Sequence, residues 1–365
     1  MEALKILVCC GGTGGHIFPA VAIADALKKL NPDNQILFVG ANGRMEMEKV
    51  PASGYDIKGI DIAGLQRKFD LKNLSLPFKI IKSLRQAKRI IKEFKPDFAV
   101  GTGGYASAPT IYMAAKLNIP VLIQEQNSYP GVANKILAKR AKAICVAYPD
   151  MEKYFGKDKL HLLGNPIRSS IEYCNIERSE AVSFFGLNPD IKTVLVVGGS
   201  LGARTINQSV EKYVPNFIEN NIQLIWQTGK SFEQRSKEIA EKYNSKLIRN
   251  TVFIKEMDYA YSAADVVVSR AGALSISEIC SLGKPSILVP SPNVAEDHQT
   301  KNAAVLVSHN AAVAVPDDKA IDVLFDEILK LVNDTDKLNQ LSKNVKQLAY
   351  PDSAKKIAEL IYDIK

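Results

Sequence analysis

Short apolar runs alternate with longer segments of helical periodicity along the whole chain. In the first half, the runs that read as buried parallel strands are KILVCC, QILFVG, DFAVGTG, PVLIQE and AICVAY. The segments between them carry apolar residues at helical spacing, and this alternation is typical of a doubly wound α/β sheet.

The alternation pauses at HLLGNPIRSSI, where Asn165-Pro166 is a turn signal, and then restarts with TVLVVGGSLGA, IQLIWQ, DVVVSRAGA, PSILVP and AAVAV. Each half therefore opens with a strand, a glycine loop and a helix. We predict an α/β chain of two Rossmann-like, doubly wound domains that face each other across a cleft. The first covers residues 1–163 and the second residues 165–348.

A last helix is predicted over residues 351–365, after Pro351. One of its faces is apolar enough to need a partner, and that face carries Ile357, Leu360, Ile361 and Ile364. We expect this helix to complete the first domain.

Composition narrows the class of protein without choosing a partner. The chain has 365 residues, of which 46% are hydrophobic, so both halves can bury a core. Its net charge of +8 favours an anionic partner, which could be nucleic acid, a lipid surface or a phosphorylated substrate. No apolar run reaches the length of a transmembrane helix, and no signal peptide is evident, so membrane contact is expected to be peripheral.

The cysteines are five in number and lack the spacing of metal ligands; they are Cys9, Cys10, Cys145, Cys174 and Cys280. They indicate reduced thiols in a cytosolic protein. No other cluster of histidine, cysteine or carboxylate residues has ligand spacing, so we predict neither a metal nor a cofactor.

Three glycine-rich loops follow predicted strands, at residues 11–15, 101–107 and 198–202. The loops at 11–15 and 198–202 match neither the G-x-G-x-x-G fingerprint nor the Walker A motif, which argues against a nicotinamide enzyme. Glycines let backbone N–H groups and a helix N-terminus approach an anion. A tight turn without ligand would explain one such loop equally well, but three loops favour phosphate recognition.

Six segments resemble, in order and spacing, the MurG family of glycosyltransferases: GGTGGHIFPA, GTGGYAS, QEQNSYPGVANKILA, LGNPIR, VVGGSLGARTIN and SRAGALSISEICSLGKPSILVPSP…EDHQTKNA. The resemblance covers nearly the whole chain. It implies a GT-B fold and an inverting, metal-independent transfer of N-acetylglucosamine from UDP-N-acetylglucosamine to lipid I, undecaprenyl-pyrophosphoryl-N-acetylmuramyl-pentapeptide. The products would be lipid II and UDP in peptidoglycan synthesis, on which cell shape and division depend.

The resemblance places the donor mainly on the second domain. Glu278 would accept two hydrogen bonds from the ribose diol, although a lone glutamate is more often a surface residue. Phe253 and Ile254 would flank the uracil, and Gln299 would contact the sugar hydroxyls. The remaining donor contacts that it implies are Thr13, Gly14, Gly15, Asn127, Ala273, Leu274 and Ser275.

The leaving diphosphate needs positive charge without a metal. The loop at Ser200 would supply backbone amides, and Arg168 would supply a cation at the junction of the domains.

The first domain is expected to hold the acceptor, with its diphosphate on the loops at residues 13–15 and at Gly103 and Gly104. Tyr105 and Gln126 are further acceptor contacts. The attacking hydroxyl must lose a proton, and a histidine such as His16 has a pKa suited to accepting it. Glu125 is the alternative base, or it orients His16.

A basic stretch at residues 74–96 accounts for much of the net charge. Its helical face of Ile80, Leu84, Ala87, Ile91 and Phe94 opposes a face of Lys82, Arg85, Arg89 and Lys92. The packed helix does not account for the apolar Leu74, Leu76 and Phe78 beside Lys79. An apolar edge rimmed by cations is typical of a protein that sits on anionic lipid, here the cytoplasmic face of the cell membrane. Nucleic acid is the less favoured partner because no binding motif accompanies the charge.

Two other functions remain open. A UDP-N-acetylglucosamine 2-epimerase of the same fold would need neither the basic apolar edge nor three glycine loops. A non-catalytic sugar-nucleotide-binding protein would have no use for His16, Glu125 and Glu278.

Overall fold

The computed structural model describes residues 2–62, 76–199, 202–294 and 297–365. The chain divides into two compact units, one of Met1–Arg168 with Tyr350–Lys365 and the other of Ser169–Ala349. The turn signal at Asn165-Pro166, where the sequence indicates the boundary, lies just before the end of this first unit. Asn165 is buried and bonded to the first sheet, and Ile167 is buried too.

The first unit is a seven-stranded parallel sheet in the order β3-β2-β1-β4-β5-β6-β7. Its strands are β1 (Lys5–Cys9), β2 (Gln35–Ala41), β3 (Asp56–Ile60), β4 (Phe98–Gly101), β5 (Val121–Glu125), β6 (Ala143–Val146) and β7 (Leu160–Leu162). Its helices are α1 (Gly14–Leu30), α2 (Glu46–Ala52), α3 (Leu76–Phe94), α4 (Ser107–Lys116) and α5 (Val132–Ala138).

The second unit is a six-stranded parallel sheet in the order β10-β9-β8-β11-β12-β13. Its strands are β8 (Thr193–Val197), β9 (Gln223–Gln227), β10 (Ile248–Thr251), β11 (Val266–Ser269), β12 (Ser286–Leu288) and β13 (Val313–Ala314). Its helices are α6 (Ser169–Glu172), α7 (Arg178–Phe184), α8 (Arg204–Glu219), α9 (Glu233–Tyr243), α10 (Met257–Ala263), α11 (Ala273–Leu282), α12 (His298–Ser308), α13 (Ala320–Asn333) and α14 (Thr335–Gln347).

Both sheets are doubly wound, as predicted, and the apolar runs are their central strands. β4, β5 and β8 are buried at every position, because helices cover both faces of a parallel sheet. The sequence analysis missed β3, β7 and β10. β3 and β7 lie at the two edges of the first sheet and β10 at one edge of the second, and their residues are partly exposed, so they lack a continuous apolar run.

The chain order of each sheet reverses at its centre, and ligands of such sheets bind at that point. In the first sheet, Cys9 of β1 pairs with Val39 of β2 on one side and with Gly101 of β4 on the other. The glycine loops at residues 10–13 and 102–106 therefore leave the same edge side by side. In the second sheet, β8 and β11 are the corresponding pair.

The last helix, α15 (Ser353–Ile364), packs against α1 in the first unit. Ile357, Ala358 and Ile361 are buried in the same apolar cluster as Ile17 and Ile23. The chain thus returns to the first unit after the second is complete.

Helix α3 follows the predicted two-faced pattern over most of its length. Ala87, Ile90 and Ile91 are buried against the sheet, with Leu84 and Phe94 packed beside them. Ile80 was predicted to belong to this inner face, but it is exposed, because the first turns of α3 extend past the core. Leu74 and the side chain of Leu76 lie outside what the structure describes.

Candidate functional site

A buried carboxylate holds the loop that follows β1. Glu46, at the start of α2, is fully buried; its Oε2 accepts the N–H of Gly12 (3.2 Å) and its Oε1 that of Ala41 (2.9 Å). A Cβ on Gly11 would come within 2.5 Å of Glu46 Oε1. Contacts within the protein therefore account for the glycines at positions 11 and 12. Sequence analysis missed Glu46, because it reads as one of several charged residues in a short helix.

Gly14 and Gly15 form the first turn of α1 after Thr13. Their N–H groups find no acceptor among the described residues, as expected for the first turn of a helix. A Cβ on Gly15 would meet only Thr13 Oγ1 at 3.6 Å, whereas one on Gly14 would meet the Phe18 ring at 3.1 Å. This turn can offer two N–H groups and the helix dipole to an anion.

The imidazole of His16 is held between two loops. The ring Nδ1 lies 3.0 Å from Thr13 Oγ1. The backbone carbonyl oxygen of His16 accepts a hydrogen bond from Thr102 Oγ1 (2.7 Å). A Cβ on Gly103 would come within 3.0 Å of His16 Cδ2 and 3.3 Å of Nε2. Only a glycine at position 103 lets the ring pack this closely on the neighbouring loop.

The neighbouring loop carries the other two residues predicted to contact the acceptor there. A Cβ on Gly104 would overlap the carbonyl oxygen of Gly11, so the two loops touch through their backbones. The ring of Tyr105 lies against Gly12, and burial raises the pKa of the Tyr105 hydroxyl. Thus Gly103 and Gly104 lie beside His16 and Tyr105 lies beside Gly12, and the two glycines are required by the packing of the protein itself.

Glu125 is buried at the end of β5 and is surrounded by donors. Its Oε1 accepts the backbone N–H (3.1 Å) and the side-chain Nδ2 (3.3 Å) of Asn127. Its Oε2 accepts the N–H of Gly131 and Nδ2 of Asn134, both at 2.9 Å. Burial raises the pKa of Glu125, while these four hydrogen bonds act in the opposite direction. The carboxylate fixes the loop that leads into α5.

Gln126, the residue after Glu125, is buried and also forms hydrogen bonds within the first unit. Its Nε2 donates to the carbonyl oxygens of Thr102 (2.7 Å) and Gln124 (3.1 Å), which ties β5 to the loop after β4. Its own carbonyl oxygen accepts a bond from Asn165 Nδ2 (3.0 Å). The amide nitrogen of Gln126 is thus used inside the protein. Asn134 and Thr102, which complete the network, were also missed, because their partners lie in other segments of the chain.

Arg168, the last residue of the first unit, follows the segment that Asn165 anchors. Its guanidinium carbon lies 5.5 Å from the centroid of the Phe18 ring, within the range of a cation–π contact.

In the second unit, four of the predicted donor residues lie in the first turns of α11. Ala273, Leu274 and Ser275 form its first turn after Gly272, and their N–H groups have no acceptor within the described ranges. Glu278 lies one turn further on, where Oε2 accepts a hydrogen bond from the buried Tyr261 hydroxyl (2.9 Å).

The other donor residues lie in the segment after β10 and at the start of α12. Phe253 is 41% exposed, and Ile254 beside it is buried, with a main-chain N–H and C=O that have no partner in the described part of the chain. Gln299 Oε1 accepts the N–H of Ser291 (2.8 Å), which orients this side chain. Ser200 lies outside the described residues.

The sequence predicts neither a metal site nor a transmembrane helix. The described ranges hold no group of three or more histidine, cysteine or carboxylate residues placed to bind a metal ion. No helix in them is long and apolar enough to cross a membrane.

Known protein families and relatives match this chain along nearly its whole length. Residues 6–146 match the glycosyltransferase family 28 N-terminal domain, and residues 193–357 match the glycosyltransferase family 28 C-terminal domain. A protein of Parabacteroides distasonis is 53% identical over 364 residues, which cover 100% of this chain and 99% of that protein. That protein is named UDP-N-acetylglucosamine--N-acetylmuramyl-(pentapeptide) pyrophosphoryl-undecaprenol N-acetylglucosamine transferase.

Solved structures agree on the fold. The crystal structure of Acinetobacter baumannii MurG matches with a TM-score of 0.74 and 27% identity, over 99% of each chain. A UDP-N-acetylglucosamine 2-epimerase matches with a TM-score of 0.66 over 99% of this chain and 97% of that one, but at 15% identity it shows a shared fold alone. The chain belongs to the MurG family of N-acetylglucosaminyltransferases, within glycosyltransferase family 28.

Proposed function

We propose that this enzyme transfers N-acetylglucosamine from UDP-N-acetylglucosamine to N-acetylmuramyl-(pentapeptide) pyrophosphoryl-undecaprenol, with inversion at the anomeric carbon. The observation that carries the proposal is the identity of more than half of the residues, along the full length, with a relative named for that reaction. The two sets of site residues support it, since each set has the groups that one substrate requires.

The second unit binds the donor. Glu278 takes the ribose diol, and its orientation by Tyr261 fits that role because a carboxylate held in position accepts hydroxyl donors in a fixed direction. The main-chain groups of Ile254 read the edge of the uracil, which has both donors and acceptors. Gln299 binds the sugar hydroxyls, and the first turn of α11 (Ala273, Leu274 and Ser275) and the loop at Ser200 bind the diphosphate, together with Arg168.

The first unit binds the acceptor and removes its proton. The N–H groups of Gly14 and Gly15 hold the acceptor's diphosphate, beside Gly103, Gly104 and Tyr105. His16 is the general base, and its contact with Thr13 fixes the ring. Glu125 keeps the loop of Asn127 in place, because all four of its hydrogen bonds go to that loop and to α5.

The start of α3 and the outer face of α5 form the surface that meets the membrane. Both helices pack against α4, and both expose large apolar side chains, of which Phe78 is 77% exposed and Val132 and Ile136 are each 63% exposed. Exposed cations accompany them, with Lys79 and Arg85 on α3 and Lys139 and Arg140 directly after α5. An apolar patch bordered by positive charge fits an anionic bilayer surface.

Direct assay tests the reaction. The full chain is incubated with labelled UDP-N-acetylglucosamine and a short-chain lipid-linked N-acetylmuramyl-pentapeptide, and we expect UDP and a lipid-linked disaccharide in equal amounts. Chelator should leave the rate unchanged. Consumption of UDP-N-acetylglucosamine without the acceptor, giving an epimer, would overturn the proposal in favour of the epimerase reaction.

Vesicle binding tests the membrane surface. Lys79→Glu with Arg85→Glu should weaken binding to phosphatidylglycerol vesicles about 10-fold or more, since each cation near the surface contributes roughly 1 kcal/mol. Lys82 is a poorer choice, because it already pairs with Asp61 (2.8 Å). The matched control is Lys237→Glu with Lys242→Glu on α9. Equal loss in both variants would point to net charge rather than to this surface.

A further inference from the structure

We propose that Phe18 is a positioning residue, whose ring holds the Arg168 guanidinium in place for the donor's diphosphate. This inference rests on the proposed function, in which Arg168 contacts that diphosphate. Phe18 takes no part in the chemistry, and nothing in the motifs themselves distinguishes it from an ordinary apolar residue of α1.

The backbone of Arg168 is fixed by the segment before it. The N–H groups of Leu163 and Gly164 both donate to the carbonyl oxygen of Val146 (3.1 Å each). Asn165 is buried and bonded through its side chain to Gln124 and to Gln126.

Those anchors hold the chain but not the far end of a long side chain. Arginine has four rotatable side-chain bonds, so a fixed backbone still leaves the guanidinium many positions. Ordering such a side chain costs roughly 2 kcal/mol in lost rotamer freedom. A contact at the distal end that restricts the guanidinium before the ligand arrives reduces this cost on binding.

The Phe18 ring is placed to do so. The guanidinium carbon of Arg168 lies 5.5 Å from its centroid, and the negative face of an aromatic ring attracts a cation at that distance. A leucine would fill much of the same volume but would lack this attraction.

The ring itself is held by the glycine loop. Gly14 and Phe18 are one turn apart on α1, so they share a face of the helix. A Cβ on Gly14 would lie 3.1 Å from Phe18 Cε2 and 3.4 Å from Cδ2, so the ring rests on the bare backbone of Gly14. The absence of a side chain at position 14 thus connects the loop to Arg168 through the ring.

Titration of the full chain with UDP and with uridine tests the proposal. F18L is expected to weaken UDP binding roughly 3- to 30-fold, the range of one cation–π contact, and to leave uridine binding unchanged because uridine has no phosphate. F18Y keeps the aromatic face and should stay within about 3-fold of the wild type. F184L is the matched control, since Phe184 is an exposed aromatic that packs on Tyr259 (4.5 Å between centroids).

A double-mutant cycle separates positioning from structure. In the R168A background, F18L should have no further effect on the affinity for UDP. An equal effect of F18L with and without Arg168, or a matching loss of uridine binding, would overturn the proposal. If R168A weakens UDP binding and F18L does not, the inference alone is wrong. If R168A itself leaves UDP binding unchanged, the role of Arg168 in the proposed function is wrong, and the role of Phe18 falls with it.

Discussion

The loops at the carboxyl edges of the two sheets use their polar groups differently. In the first unit, the predicted site residues bind one another: Glu125 is saturated by Asn127, Gly131 and Asn134, and Gln126 by its neighbours. In the second unit, Glu278 accepts a hydrogen bond from Tyr261 and Gln299 accepts one from Ser291, and the N–H groups at the start of α11 have no acceptor within the described residues.

This difference separates two kinds of functional residue. At the first edge, most of the polar groups named above hold loops together, and we propose that His16 and the amides of Gly14 and Gly15 are the groups that act on a ligand. At the second edge, we propose that the polar groups bind the nucleotide. Substitutions should therefore affect turnover or stability in the first unit and donor affinity in the second.

The largest effect is expected at His16. His16→Ala should lower kcat by about 10²- to 10⁴-fold, the usual loss for a general base, with smaller changes in either KM. His309→Ala is the matched control, because His309 is an exposed histidine at the end of α12 in the second unit. Steady-state kinetics with both substrates measure it. A near-normal kcat in His16→Ala would exclude His16 as the base.

Glu125→Ala should act on stability. It leaves four donors without their acceptor, among them the buried side-chain amide of Asn134, so the free energy of unfolding should fall by roughly 2–4 kcal/mol in urea titrations. Glu93→Ala, which removes an exposed carboxylate of the same unit, should leave the unfolding midpoint nearly unchanged. If Glu125→Ala instead kept its stability and lost its kcat, Glu125 rather than His16 would be the catalytic base.

Glu278→Ala should act on the donor alone. The lost hydrogen bonds to the ribose are charge-assisted and worth roughly 1.5–3 kcal/mol, so the KM for UDP-N-acetylglucosamine should rise about 10- to 150-fold. The KM for the acceptor should be unchanged, and Glu233→Ala, at the start of α9 in the same unit, should alter neither. Equal weakening of both substrates would mean that Glu278 has a structural role.

Sequence alone predicts this architecture well where the signal is local. The central strands are continuous apolar runs, and the glycine loops follow them directly. The edge strand β3 was missed because half of its residues face solvent, so its pattern of Asp56 to Ile60 is not apolar enough to stand out. The pattern does not show that Asn165 packs with the first sheet, because the bonds of Asn165 to Gln124 and Gln126 connect segments about 40 residues apart.

The same limit applies to the site. His16 and Glu278 follow from motifs, but the reasons for the glycines do not. Gly104 must be small because Gly11 approaches it, and Gly103 because His16 does. These approaches are set by the pairing of β1 with β4, which are about 90 residues apart in the chain. Glu46 supports the loop for the same non-local reason.

Asp61 and Glu125 both accept several hydrogen bonds, yet their pKa values shift in opposite directions. Asp61 accepts bonds from Lys82, Asn42 and Gln86, and because it is exposed, these lower its pKa to about 2. Glu125 accepts four bonds, but its burial outweighs them and raises its pKa. Exposure to solvent, and not the number of hydrogen-bond partners, decides whether the pKa falls or rises.

The smallest predicted effect is therefore a pair of opposite pH dependences. A folded-state pKa of about 2, below the ordinary value of 3.8, means that the contribution of Asp61 is complete above about pH 4 and is lost as the pH falls toward 2. Because Asp61 is exposed, that contribution is at most about 1 kcal/mol. The free energy of unfolding of Asp61→Asn should thus approach that of the wild type between pH 6 and pH 3. For Glu125, whose pKa is raised, the sign reverses, and the wild type should lose stability relative to Glu125→Gln as the pH rises above about 4.5. Urea titrations at several pH values measure both differences, and a difference that stays constant with pH would contradict the assignment for that residue.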